Sequence, residues 1–451
     1  MHRTAARKGL LRPLPPMDLP FLVLVLTLVA FGLVMLCSAS SAVALYRRQD
    51  AFSYVRPQLL YAAMGLGAMW TASRVDYHIY HKLAWPLLAL SLVLLTAVVL
   101  FATGIAGSSV AALKDLTDTA RIALLPGSGW PQQTGVAELE QMAPLTGSFV
   151  ELGDEGCVVW SRTGKKLNSI QSGYARPALA AGKTRFVLYN RSGNELRVES
   201  RTQNLYTKQL ENSIFLCAMS DNGTLAVVTE DQTSMAKLLV YSPSMEQQLS
   251  WSMTSNDGTP LRMAFSPDSR KLAAAAVTVS GGQVMTNLYL INLASGDPVS
   301  LVNQGGVPQW LGWTSASTIL AVYDTRAVLY NAGGGERVVY DFAGTELKDV
   351  SVDAAGNVAL LLASGQVSQA VTLDKNLNVQ FSAAVSAANS IVRAGNLFYL
   401  LADNAVECFD ASGTQQWSQN LDTSPQALLA NSKDLLLFSG NTVQKLEAPA
   451  E

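Results

Sequence analysis

The chain has 451 residues, about three times the length of a typical domain, so two or more structural units are expected. Its 32 Lys+Arg against 34 Asp+Glu give a net charge of -2, with 15% charged and 49% hydrophobic residues. That balance excludes a nucleic-acid binder, which needs a basic face to neutralise phosphates, and a disordered acidic chain.

The apolar residues gather at the N-terminal end. Leu19 to Leu45 contains no charged side chain, and about 20 helical residues cross the hydrocarbon core of a bilayer, so this is a transmembrane span. Pro57 to Ser73, bounded by Arg56 and Arg74, and the uncharged stretch Leu83 to Ala106 predict a second and a third span. A buried soluble helix competes for the second stretch, and a signal peptide for the first, with Ser38-Ala39-Ser40 as the cleavage site. The apolar run before Ser38 exceeds the length of a signal h-region. Cys37 follows Leu36, where a lipoprotein signal needs a small residue. Arg3, Arg7, Lys8 and Arg12 precede the first span and place the N-terminus inside, although Arg47, Arg48 and Arg56 oppose them. Three crossings then put everything beyond residue 107 outside the cytoplasm, in a multi-pass protein of the plasma membrane.

Residues 108–133 form a polar stretch, with Lys114, Asp115, Asp118 and Arg121, that reads as a linker. From 134 to 451 helical periodicity gives way to short β-rich runs. One unit reads Leu261–Phe265, a Ser-Pro-Asp-Ser turn, Leu272–Val279, Asn287–Asn292, a Leu-Ala-Ser-Gly turn and Pro298–Val302, which is four strands joined by hairpins. The third turn of the unit serves as a ruler, because tight hairpins draw Gly, Asn or Asp to positive φ. It is read at Ser161–Gly164, Asn190–Gly193, Ser242–Met245, Asn292–Gly296, Asn331–Gly334, Asp374–Leu377 and Asp410–Gly413. First turns recur at Ser220–Gly223, Ser266–Ser269 and Asp353–Gly356, and a last unit, Gln426–Ala430, Asp434–Phe438 and Thr442–Leu446, has only three strands. Four-stranded repeats of about 40 residues predict a β-propeller. The spacing gives eight blades, with seven as the alternative if the end units form one composite sheet. Val136–Met142 is expected to supply the strand missing from the last blade.

Three resemblances follow from particular residues. Asp18-Leu-Pro-Phe-Leu22, Gly32-Leu-Val-Met35, Ser38 to Ala44, Gln58-Leu-Leu and Ala72-Ser-Arg-Val-Asp-Tyr77 resemble the start of the FtsW/RodA/SpoVE (SEDS) family of cell-wall polymerases, over residues 15 to 95. That resemblance implies a membrane protein connected with peptidoglycan synthesis, cell division and cell shape. The catalytic aspartate of the family lies in a later loop with no counterpart in this chain, so glycosyltransferase activity is not expected. Tyr189 to Ser200 and Ser220 to Thr229, behind an N-terminal anchor, resemble a group of membrane-tethered propellers of Gram-positive, clostridia-like bacteria. Cys408-Phe-Asp-Ala-Ser-Gly-Thr-Gln-Gln-Trp417 is similar to the tryptophan-docking repeat of quinoprotein-like propellers, whereas the Gly-His and Trp-Asp markers of WD40 repeats are absent.

The chemistry-bearing residues point away from catalysis. Cys37, Cys157, Cys217 and Cys408 lie far apart, without metal-ligand spacing, and no adjacent pair exists for a quinone cofactor. His2, His78 and His81 are the only histidines, so beyond residue 81 no imidazole base serves a Ser or Cys nucleophile. Glu230, Asp231, Asp324 and Asp341 read as caps of hairpins and strand ends rather than a channel-lining pair. Trp310 and Trp313 are an odd distance apart on one strand, so at most one faces a given side, and core packing competes with sugar stacking. His78 and His81 read as solvated residues near lipid headgroups. Gly281-Gly282 and Gly333 to Gly335 lack the following helix of a phosphate loop and are turns. No catalytic, cofactor-binding or metal-ligating residue is assigned. The expectation is a non-enzymatic, membrane-anchored extracytoplasmic propeller that binds a protein or glycan partner, with cell-wall synthesis machinery as a candidate. A truncated or fused SEDS-family protein is the alternative.

Overall fold

The computed structural model describes residues 19–48, 55–73, 84–95, 109–136, 138–333, 335–430 and 435–446. Met1–Gly107 and Ser108–Glu451 are two compact units. The first contains α1 (Leu19–Arg48), α2 (Val55–Ser73) and α3 (84–95). Large apolar side chains of α1, among them Leu24, Leu28, Phe31 and Val34, are exposed. Among the described residues no helix is long and apolar enough to cross a membrane.

The second unit is a closed ring of eight four-stranded antiparallel sheets. The blades occupy residues 141–171, 177–209, 214–253, 259–305, 308–341, 346–385, 390–420 and 427–446, the last completed by Gln132–Gln133. The first strand of each blade is innermost, and first strands contact their neighbours from blade 1 to blade 5 and from blade 6 to blade 8 around a central channel.

Why these residues make blades follows from the two-residue period of a strand. Phe186 and Leu188 pack toward blade 1, while Val187 and Tyr189, between and beyond them, pack toward blade 3. Leu272, Ala274 and Ala276 face blade 3, and Ala273 with Ala275 faces blade 5. A middle strand is thus buried on both sides, which is why it reads as an unbroken apolar run such as Thr318–Tyr323.

The recurring turns have a side-chain cause. Asp353, Asp374 and Asp410 each accept, through Oδ1, the amide N–H four residues on, at 2.9, 2.8 and 2.9 Å. Ser161, Ser220 and Ser242 do the same with a hydroxyl. Between third and fourth strands the pairing register shifts by a bulge, and the last turn residue takes positive φ: Gly164 and Gly296 with glycine, Met245 and Leu377 without it.

Three expectations need correction. Asn190–Gly193 joins the second and third strands of blade 2, not the third and fourth. The third turn there is Ser200 to Asn204, and it needs no glycine because none of its residues takes positive φ. The ring-closing strand is Gln132–Gln133, paired with Val443 and Thr442, and not Val136–Met142. Gln141 and Met142 belong to the inner strand of blade 1, and Val136 is buried against the blade 8 core. Finally, part of the expected linker is a helix, α4 (Ser109–Leu124).

Candidate channel mouth and helix clamp

Turns from first to second and from third to fourth strands emerge on one face of the ring. There, the ends of four consecutive inner strands surround a cavity of about 370 Å³. Blade 2 contributes Ala180 and Ala181, blade 3 Met219 to Asp221, blade 4 Met263 to Pro267, and blade 5 Gly312 and Trp313. The polar groups are mostly committed. Ser220 Oγ accepts the Thr224 amide at 2.9 Å, and Ser266 Oγ accepts that of Lys271 at 3.0 Å. Trp313 Nε1 donates to the Ala264 carbonyl at 2.9 Å. The lining is mixed and more polar than apolar, with Met263, Phe265 and the Trp313 ring supplying its apolar part and the exposed Asp221–Lys183 ion pair, 2.7 Å long, at its edge. Such a surface suits recognition of an apolar group with a polar flank.

On the opposite face the channel is charged. The Glu140 carboxyl is raised by burial first and then by its hydrogen bond to Asp154, against the pull of Arg191. The Arg262 guanidinium is lowered by burial and then by Arg191. Its Nε donates to the Gln309 carbonyl at 2.7 Å and ties blade 4 to blade 5. Asp349 Oδ2 bridges blades 6 and 7 by accepting the Ser390 hydroxyl and the Ile391 amide.

The helix α4 is clamped to the turns of blades 1 and 2. Arg201, fully buried, donates to the carbonyls of Thr146 and Asp115 at 2.8 Å each and to Thr119 Oγ1 at 2.7 Å. Asp115 Oδ2 accepts Thr184 and Arg185, and the Arg185 pair is 3.0 Å long with the guanidinium 2% exposed. Thr202 Oγ1 donates to Asp118 at 2.8 Å. Burial lowers the Arg201 guanidinium, while Asp118 and Asp115 hold it up.

The acidic residues singled out in sequence do not converge. Asp231 accepts Ser234 and Thr233 within its own loop, Asp324 accepts the Val307 amide, and Asp341 accepts the Ala343 amide. The Glu230 amide donates to the Ser213 carbonyl at the end of a blade 3 strand. Trp310 packs toward blade 6 and Trp313 toward blade 4, on opposite sides of their sheet. Cys157, Cys217 and Cys408 are buried, free and in separate blades. Gly281 and Gly282 take positive φ in a hairpin, as does Gly335. His78 and His81 lie outside the described residues. Among the described residues no group of three or more His, Cys, Asp or Glu is placed to hold a metal. Sequence reasoning missed the clamp, although Asp115, Asp118, Thr119 and Ile122 share one helical face.

An eight-bladed β-propeller fused to a short SEDS-like segment is the class this chain represents. Residues 131–447 match the family described as "Family of unknown function (DUF5711)", and the chain belongs to it. Residues 18–110 match the FtsW/RodA/SpoVE family, described as "Cell cycle protein". Over 92 residues the chain is 39% identical to a "Probable peptidoglycan glycosyltransferase FtsW" of Geobacter sulfurreducens, covering 20% of this chain and 24% of that protein. Over 83 residues it is 37% identical to the protein of the same description from Trichlorobacter lovleyi, covering 18% and 22%. The chain therefore spans about a quarter of the length of these relatives. Among solved structures, the C-terminal WD40 domain of Sif2 aligns with a TM-score of 0.52 at 11% identity, over 71% of this chain and 99% of that one. BamB from Moraxella catarrhalis aligns with a TM-score of 0.48 at 14% identity, over 72% and 99%.

Proposed function

We propose that the protein is a membrane-anchored, non-enzymatic binding or scaffold protein of the cell envelope, its propeller lying outside the cytoplasm. The observation that carries the reading is the join itself: a segment 39% identical to cell-wall polymerases precedes a ring whose channel mouth sets Met263, Phe265 and Trp313 among polar groups. The long uncharged run from Leu19 to Leu45 supports the anchor. The mouth binds a protein or glycan partner through Met263, Phe265 and Trp313, and the polymerase-like segment brings the propeller to the wall-synthesis machinery. A second reading, a fused SEDS-family protein associated with peptidoglycan synthesis, is favoured by the match over residues 18–110.

A photo-crosslinking residue in place of Asp221 tests this in living cells, with Gln283 on the opposite face as control. Adducts with a wall-synthesis protein or glycan from position 221 alone are expected. Equal adducts from both positions, or none, together with failure to concentrate at septum or lateral wall, overturn the proposal.

A further inference from the structure

The helix α4 is inverted relative to an ordinary surface helix. Its polar residues Asp115, Asp118 and Thr119 are spent on the propeller, as the clamp distances show. Its outward side carries Leu116 and Leu124, 67% and 78% exposed, followed by Leu125, with Lys114 and Arg121 also exposed. An ordinary amphipathic helix buries its leucines on the domain and gives its charges to water. Exposed leucines with Lys114 and Arg121 along one edge of the same face instead describe a helix lying in the headgroup region of an anionic bilayer.

Two further observations favour a lipid surface as the occupant. The match to the membrane family runs to residue 110, into the first turn of α4, so the helix begins where membrane-type sequence ends. The turns of blades 1 and 2 on the same face carry Arg162, Lys165 and Lys183, whereas those of blades 6 and 7 present Asp353, Asp374 and Asp410 beside Lys375. Lys183 there is paired with Asp221 at 2.7 Å, which leaves Arg162 and Lys165, both half-buried, beside the exposed Lys114 and Arg121 of the helix.

We infer that the outward face of α4 docks on an anionic phospholipid surface and, through the Arg201 and Asp115 clamp, fixes how the propeller is presented there. This rests on the membrane anchorage proposed above. It replaces a flexible tether by a rigid one.

The test uses the full chain reconstituted in vesicles of phosphatidylglycerol with phosphatidylethanolamine, carrying an environment-sensitive fluorophore at Leu116→Cys or Leu124→Cys. Protein without an added cysteine sets the background, and Gln283→Cys is the aqueous reference. Several-fold quenching by brominated lipids at 116 and 124, with a blue-shifted emission, is expected, and none at 283. Lys114→Gln with Arg121→Gln is expected to remove the dependence on anionic lipid. Protein that floats with the vesicles but shows no quenching at 116 and 124 overturns the docking and leaves the anchorage standing. A blue shift without lipid quenching also overturns it, since a protein surface then covers the helix. Protein that fails to float overturns the anchorage and the docking together.

Discussion

Arg201 Nη2 meets the Thr119 hydroxyl at 2.7 Å across 82 positions of sequence. The contact joins a turn of blade 2 to a helix that precedes the ring, and Asp115 completes it through Arg185.

Asp115→Ala removes the carboxylate facing Arg185, a guanidinium 2% exposed. An unpaired buried charge costs on the order of 3 kcal/mol. The expected outcome is a lower Tm and faster tryptic cleavage after Arg121. Lys183→Ala, which breaks an exposed pair, is expected to change stability by less than about 1 kcal/mol. Equal effects from the two substitutions would show that the clamp contributes nothing particular.

Ring closure depends on a very short strand. Gln132 and Gln133 pair with blade 8, and Trp130 packs on Phe149 and Trp160 with centroids 5.8 and 6.0 Å apart. Trp130→Ala is expected to cost roughly 2–3 kcal/mol, less than a fully buried tryptophan because the ring is only half-buried. Denaturant titration checks this, and hydrogen exchange is expected to rise first in blades 1 and 8.

Burial pushes the Glu151 carboxyl up to about 8, against a hydrogen bond from Thr134. Its folded value lies above the unfolded one, so its contribution is present below about pH 4.5 and is lost as pH rises through about 8. Glu151→Gln removes that slope. The variant is expected to be more stable than wild type above about pH 8, with a gain on the order of 1.4 kcal/mol for each pH unit separating the folded and unfolded titrations, and to show no advantage in acid. Thermal unfolding across this range decides it.

Gly413 has φ 86°, and a Cβ built there would overlap the Phe381 ring. Gly413→Ala therefore strains the turn and displaces an aromatic that packs at 5.8 Å on Phe398 between blades 6 and 7. A loss of more than about 1 kcal/mol is expected, from the left-handed backbone alone. Gly281→Ala has open space around its Cβ and bears only that backbone strain, so it is expected to cost less. Paired denaturant titrations of the two variants check the order.

Most of the ring was legible in the chain because its signals are local. Ser220–Gly223, Ser266–Ser269 and Asp353–Gly356 all stand where first turns were expected, since each side chain clamps its own backbone within a few residues. The failures share a cause, which is bonding at long range. The third turn of blade 2 carries no positive-φ residue and so no glycine signal, and its Arg201 instead reaches α4. The closing strand was misplaced because two residues, Gln132 and Gln133, carry no period of their own and are specified by their partner strand. The channel mouth was invisible for the same reason: Ala180, Met219, Phe265 and Trp313 come together only when four blades close.

The proposed arrangement is one polypeptide with a membrane-embedded start and a propeller outside the cytoplasm. A C-terminal tag at the native locus, followed through alkaline extraction of membranes and protease treatment of intact wall-stripped cells, tests it most directly. The account predicts a full-length band that stays with the membranes and disappears on protease treatment. A shorter tagged band lacking the first helices, release by alkali, or protection from protease in intact cells would contradict it.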